Sequence, residues 1–193
     1  MENKNLFFVI QELREDCAEK QKKGLHFIIA SVVIWLAVMM IQMTELPILT
    51  KNLYTFFCSA PLFPLAYLIS KMIGVDFQNK ENPFTGLGIL FSVNQMIYIL
   101  IAMWVYSRVP DKMVMVYAMI FGAHLLPYGW LYQSRSYYIL SVFIPIVVLI
   151  IGLNYSASII AAVMLFIEII FCICLSIEVR QINICESKRE SRR

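Results

Sequence analysis

Six apolar stretches of 17–21 residues run along the chain, parted by short polar breaks. A helix needs about 20 apolar residues to cross the ~30 Å hydrocarbon core of a bilayer, so each stretch predicts one membrane span. They are Leu25–Met43, Leu53–Ile73, Leu87–Ser107, Met113–Tyr132, Tyr137–Leu153 and Ala157–Ile177. Ahead of them Leu6, Ile10, Leu13 and Cys17 recur at helical spacing, opposite Glu12, Arg14, Glu15, Asp16, Glu19 and Lys20. That pattern predicts an amphipathic helix over Asn5–Lys23, too short to span, lying on the inner membrane surface or against the loops. Asp16–Lys20 and Glu19–Lys23 are acid-then-base pairs four residues apart, the favourable order on a helix. The expected fold class is all-α: a polytopic membrane protein of six transmembrane helices plus this N-terminal helix. The expected division is residues 1–24 for the N-terminal helix, 25–178 for the bundle and 179–193 for a basic tail, frayed helix and then disorder.

Composition agrees with that pattern. The chain has 193 residues, 60% hydrophobic and 15% charged, against about 45–50% and about 25% in soluble domains. Of its 16 Lys and Arg, only Lys51, Arg108 and Lys112 fall in alternate, outer loops. The other 13 fall in inner segments when the N-terminus is inside. The positive-inside rule therefore predicts both termini in the cytosol. Leu6–Ile10 is too short for a signal-peptide core and lacks a small-residue cleavage site, so span one is expected to remain as an anchor. Cys17 and Cys185 are expected at the cytosolic face, and Cys58, Cys172 and Cys174 within spans. This placement argues against a disulfide framework. Cys172 and Cys174 point about 200° apart on a helix and cannot grip one metal together.

Several spans carry marks of their own. Pro61 and Pro64 each remove a helix donor, which predicts a kink or partial unwinding near Ser59–Leu65. A broken helix of this kind either lines a binding site or is simply a packed kink. In span four, Tyr117, His124, Tyr128 and Arg135 are spaced 7, 4 and 7 and form one polar stripe down one side and into the next loop. Pro127 has no N–H to offer the carbonyl of Ala123. In span three Asn94 and Tyr98 share a face, with Gln95 on its shoulder. Amides in lipid need partners, so this face should look at another helix, as glue or as cavity lining. His26 is expected at the interface and solvated. Trp35, mid-span, is expected to pack or to face lipid.

Glu168 and His124 are the ionisable groups within the spans. A charged carboxylate in the membrane costs at least ~2.5 kcal/mol. Glu168 must therefore be neutral, paired or open to water, and it is expected to face the interior and bond another span, with His124 or the Asn94–Tyr98 face as leading partners. The candidate intramembrane polar site is thus Asn94, Gln95, Tyr98, Tyr117, His124, Tyr128 and Glu168.

No HExxH, GxSxG or Walker loop is present. No catalytic residue, metal or cofactor is expected, and no nucleic-acid surface. The expected partners are the lipid bilayer and, beyond it, a second copy or another membrane protein. Two functional classes stay open ahead of a third, an intramembrane enzyme. One is a structural, regulatory or partner-binding membrane protein without turnover. The other is a small transporter or channel with a polar, proton-coupled path through spans three, four and six.

The segment KENPFTGLGILFSVNQMIYILIAMWVYSRVPDKMVMVYAMIFGAHLLPYGWLYQSRSYY, Lys80–Tyr138, resembles a family of small bacterial integral membrane proteins of unknown function. EKQKKGLHFIIASVVIW, Glu19–Trp35, and FPLAYLISK, Phe63–Lys71, resemble the same family. The resemblance implies a bacterial inner-membrane protein and supplies no activity or catalytic residue.

Overall fold

A computed structural model describes residues 2–77, 79 and 81–190, with side chains over 6–77, 79 and 81–182. The side chains of Lys4, Lys80 and Cys185, and the basic groups of the tail beyond Arg180, lie outside those residues. Among the described residues every regular element is helical, and six helices or broken helices are long and apolar enough to cross a membrane.

The N-terminal helix α1 covers Glu2–Lys20 and stops earlier than its amphipathic pattern predicts. Lys22, Lys23 and Gly24 form a single 3-10 turn with three successive left-handed backbones, φ 46°, 51° and 72°. Such angles disfavour lysine, and tertiary bonds hold them. Lys22 Nζ donates to the carbonyl of Ile73. Lys23 Nζ pairs with Glu178 at 2.8 Å, and the Lys23 carbonyl accepts from the Tyr137 hydroxyl at 3.0 Å. The expected Glu19–Lys23 pair is thus replaced, for Lys23, by an ion pair to the far end of the chain, whereas Asp16–Lys20 forms at 2.8 Å.

Span one is α2, Leu25–Gln42. Span two is broken as the prolines require: α3 covers Ile48–Ser59 and α4 covers Leu62–Ile73, with the break at Ala60–Pro61. It starts earlier than its apolar run because Pro47, at the N-cap, opens the helix. Span three is α5, Pro83–Arg108, started by Asn82, whose side chain accepts from the Phe84 N–H at 2.9 Å. Span four is also broken, into α6, Met113–His124, and α7, Leu126–Leu131, with Pro127 in the first turn of α7. Span five is α8, Arg135–Asn154, with Pro145 inside it. Span six is α9, Ala157–Glu190, which continues as helix through residue 190 of the expected tail.

The most extensive packing joins α2 to α9 and α6 to α8. Trp35 does not face lipid. It is buried and sets its ring against Tyr117 and Phe121, both centroids at 6.0 Å. Gly122 makes the α6–α8 approach possible: a Cβ there would stand 2.6 Å from Ile144 Cγ2 and 2.8 Å from Pro145 Cδ. The α3 and α4 segments pack on α2, and α5 packs on α6, while spans two and three make at most marginal contact with each other. Between these two spans the bundle is open.

The α1 helix lies against the loops rather than apart from them. Asn82, while capping α5, donates to Leu13 O and to Asp16 Oδ2, both at 2.7 Å. Asn79 adds a bond to Asp16 at 3.0 Å. Arg14 donates to the carbonyl of Trp130 and stacks 4.3 Å over its ring. Leu6, Phe7, Phe8 and Val9 stay exposed.

Candidate functional site

A cavity of about 370 Å³ occupies the gap between spans two and three, backed by spans one and four. Its mouth is apolar. Leu53 and Phe63 on one side and Met96 and Met103 on the other line it and are exposed on the outer surface of the bundle. The helices that carry this surface are long and apolar enough to cross a membrane. Behind the mouth the lining includes Ser31, Ser59, Ser92, Gln95, Tyr117, His124 and Tyr128. Tyr132 and Tyr137 lie toward the end where span one begins. Their hydroxyls are tied to Gln21 Oε1 at 2.7 Å and to Lys23 O at 3.0 Å. Gly24 meets these rings so closely that a Cβ would lie 3.0 Å from the Tyr137 hydroxyl.

The breaks in the helices bring polar groups to this space. In span two Ser59 and Ala60 line the cavity at the break. Pro61 and Pro64 deny helical donors to the carbonyls of Phe57 and Ala60 there. In span four the Leu125 N–H turns to Gly122 O at 3.1 Å instead of reaching Phe121 O. His124 Nδ1 takes up the Phe121 carbonyl so released. Pro127 leaves the Ala123 carbonyl without its helical N–H as its spacing predicts, and the break frees the Phe121 carbonyl as well. The Tyr128 and Ser92 hydroxyls lie 2.7 Å apart and both reach Gly88 O, at 2.9 and 3.2 Å. Tyr128 and Ser92 are therefore satisfied within the protein. The His124 Nε2 and the Gln95 amide, by contrast, make no hydrogen bond to the described residues.

The candidate residues divide cleanly. Tyr117, His124, Tyr128 and Gln95 converge on the cavity. Arg135 does not extend their stripe, because the turn at 132–134 redirects the chain and leaves Arg135 exposed at the start of α8. Asn94 and Tyr98 are exposed on the outer side of α5, so the face expected to meet another helix is the wrong one. Ser92, Gln95, Met96, Ile99 and Met103 form the cavity-facing stripe instead. Their spacing of 3, 1, 3 and 4 is as regular a helical face as Asn94–Tyr98 and was available in the sequence. His26 is buried rather than solvated: the Phe27 and Phe77 rings stand at 4.5 and 5.3 Å, and its Nδ1 has no partner among the described residues.

Glu168 is fully buried and bonded to another span, but its partner is the Ser31 hydroxyl rather than His124 or span three. It lies behind Ser31, outside the lining, and its Oε1 has no partner among the described residues. Ser31 was not legible as a site residue, because a lone serine in an apolar helix ordinarily bonds its own backbone. It does so here too, to Ile28 O at 2.8 Å.

Among the described residues no three His, Cys, Asp or Glu side chains come together as a metal site. Cys172 and Cys174 are free thiols. Beside the turn that joins α1 to α2, Glu178 accepts from Lys23 Nζ, from the Ser136 N–H at 3.1 Å and from its hydroxyl at 2.6 Å. This clamp joins spans one, five and six.

No curated protein and no solved structure matches the chain. A family model does match, over residues 10–178, which takes in spans one to five, the first 22 residues of α9 and part of α1. The chain belongs to that family, DUF7010, a family of unknown function.

Proposed function

We propose that this protein resides in the cell membrane with both termini in the cytosol, and that it binds a molecule drawn sideways from the bilayer, in a non-catalytic role. The observation that carries this reading is the mouth between spans two and three. Its apolar rim leads to a mostly apolar space into which two polar groups, the Gln95 amide and His124 Nε2, open without a hydrogen bond to the described residues. Apolar pockets with a few converging polar groups are the common form of small-molecule sites. The orientation rests on the charge bias of the short loops. The bacterial inner membrane suggested by the family resemblance fits that orientation.

The test places the protein in nanodiscs with a diazirine-bearing alkyl lipid and maps the photo-crosslinks. Crosslinks are expected to concentrate on Leu53, Phe63, Met96 and Met103. A uniform distribution that includes the lipid-facing Ile146 and Ile150 of α8 to the same extent would overturn the reading.

One observation favours the alternative, a proton-coupled transporter: Ser31 both lines the cavity and bonds Glu168. Span six contributes no side chain to this cavity, which is why binding is preferred. Solute-driven proton flux in proteoliposomes, abolished by Glu168→Gln in a folded protein, would reverse that preference.

A further inference from the structure

We propose that the cavity is built for an uncharged amphiphile bearing a hydroxyl, with the hydroxyl held between the His124 imidazole and the Gln95 amide. This rests on the sideways-opening cavity above and adds the chemistry of its ligand.

The first argument is register. Spans three and four are antiparallel neighbours joined by a tight turn at 109–112. Ser92 and Tyr128 touch across them at 2.7 Å. One turn from that contact in the same direction come Gln95 on α5 and His124 on α6. The two therefore stand at about the same height on the cavity wall.

The second argument is the hydrogen inventory. A carbonyl oxygen only accepts, so the bond from His124 to Phe121 O requires the hydrogen on Nδ1. In the neutral ring Nε2 then carries a lone pair and no hydrogen. It can only accept. The Gln95 amide offers both N–H donors and a carbonyl. A hydroxyl matches this pair: it donates to His124 Nε2 and accepts from Gln95. An ether or ester accepts but cannot donate, and leaves the imidazole unmatched.

The third argument is charge. No Lys, Arg, Asp or Glu lines the cavity, so an ionised headgroup would be desolvated without a counter-charge. The hydrocarbon part of the ligand would leave through the mouth, where Met96 and Met103 supply pliable apolar contacts.

The test uses four single-chain probes of equal length, each with a mid-chain diazirine: an alcohol, its methyl ether, a carboxylic acid and a primary amine. Each is photolysed with the protein in nanodiscs, and labelling of the mouth residues is quantified. The alcohol should label about tenfold more than the ether, the worth of one hydrogen bond, and neither charged probe should exceed the ether. His124→Phe should lower alcohol labelling to the ether level and leave ether labelling unchanged, whereas Gln95→Leu should lower both probes alike, because both accept from its amide. If His124→Phe fails to fold, the fall of both probes in Gln95→Leu, at its partly buried position, carries the test alone. Equal labelling by alcohol and ether, stronger labelling by the acid or amine, a full alcohol preference in folded His124→Phe, or undiminished labelling by both probes in folded Gln95→Leu would overturn the proposal while leaving the cavity as a lipid site. If no probe labels the mouth above the α8 surface, the sideways-opening reading itself fails and takes this one with it.

Discussion

The Ser31 hydroxyl of span one hydrogen-bonds the Glu168 carboxyl of span six, and both residues are buried. Ser31 has one hydrogen and also lies 2.8 Å from Ile28 O, which can only accept. Both contacts are satisfied together when Glu168 carries its own proton and donates to Ser31. A neutral carboxyl also avoids the cost of an unpaired charge between helices. Glu168→Gln should therefore keep the contact and change stability little. Ser31→Ala should cost about 1–3 kcal/mol, because it strips a buried polar group of its partner. Chaotrope unfolding in detergent micelles checks both. A costly Glu168→Gln beside a silent Ser31→Ala would refute this account.

Gly122 is expected to tolerate no side chain. An added methyl would overlap Ile144 and Pro145 of α8, and neither is the far end of a flexible chain. Gly122→Ala should destabilise by about 1–3 kcal/mol through overpacking. Gly86, where a Cβ would meet nothing within 4 Å, is the control. Its change to Ala should be neutral or mildly stabilising in the same melt.

The docking of α1 should loosen in acid. Burial pushes the Asp16 carboxyl up, but hydrogen bonds from Lys20, Asn82 and Asn79 and the Lys20 charge outweigh it and hold it below its ordinary 3.8. A folded value below the unfolded one contributes stability that is present above pH 3.8 and is lost as pH falls through the folded value. Proteolysis of the 75–82 loop by an acid-active protease should accelerate as pH drops below 3.8. In Asp16→Asn the cleavage rate should not vary with pH in this way once protease activity is normalised. An unchanged pH profile in the variant would remove Asp16 from this role.

Reporter fusions after Arg193 and within 108–112 should report opposite sides of the membrane, with the Arg193 fusion cytosolic. A cytosolic signal from 108–112 would invert the bundle and sink the orientation drawn from charge.

The six apolar helices and the break in span two were legible in the sequence, because they rest on local physics, whereas the break in span four was read only as a lost carbonyl partner at Pro127. A hydrocarbon core demands an unbroken apolar run of fixed length, and a proline withholds its N–H wherever it stands. The burial of Glu168 was legible for the same reason, since lipid offers a carboxyl nothing. What the one-dimensional pattern could not supply was which face of each span meets which neighbour. Span three carries two polar faces of equal regularity, and only packing on α6 turns Gln95 and Ser92 inward and Asn94 and Tyr98 out. Likewise, the early end of α1 depends on Lys23 reaching Glu178, a partner 155 residues away. The choice of Ser31 over His124 for Glu168 follows from α2 packing on α9. In lipid, apolar burial scarcely prefers one helix face to another, so close packing and the few interhelical hydrogen bonds decide it. Those exist only once the bundle has formed.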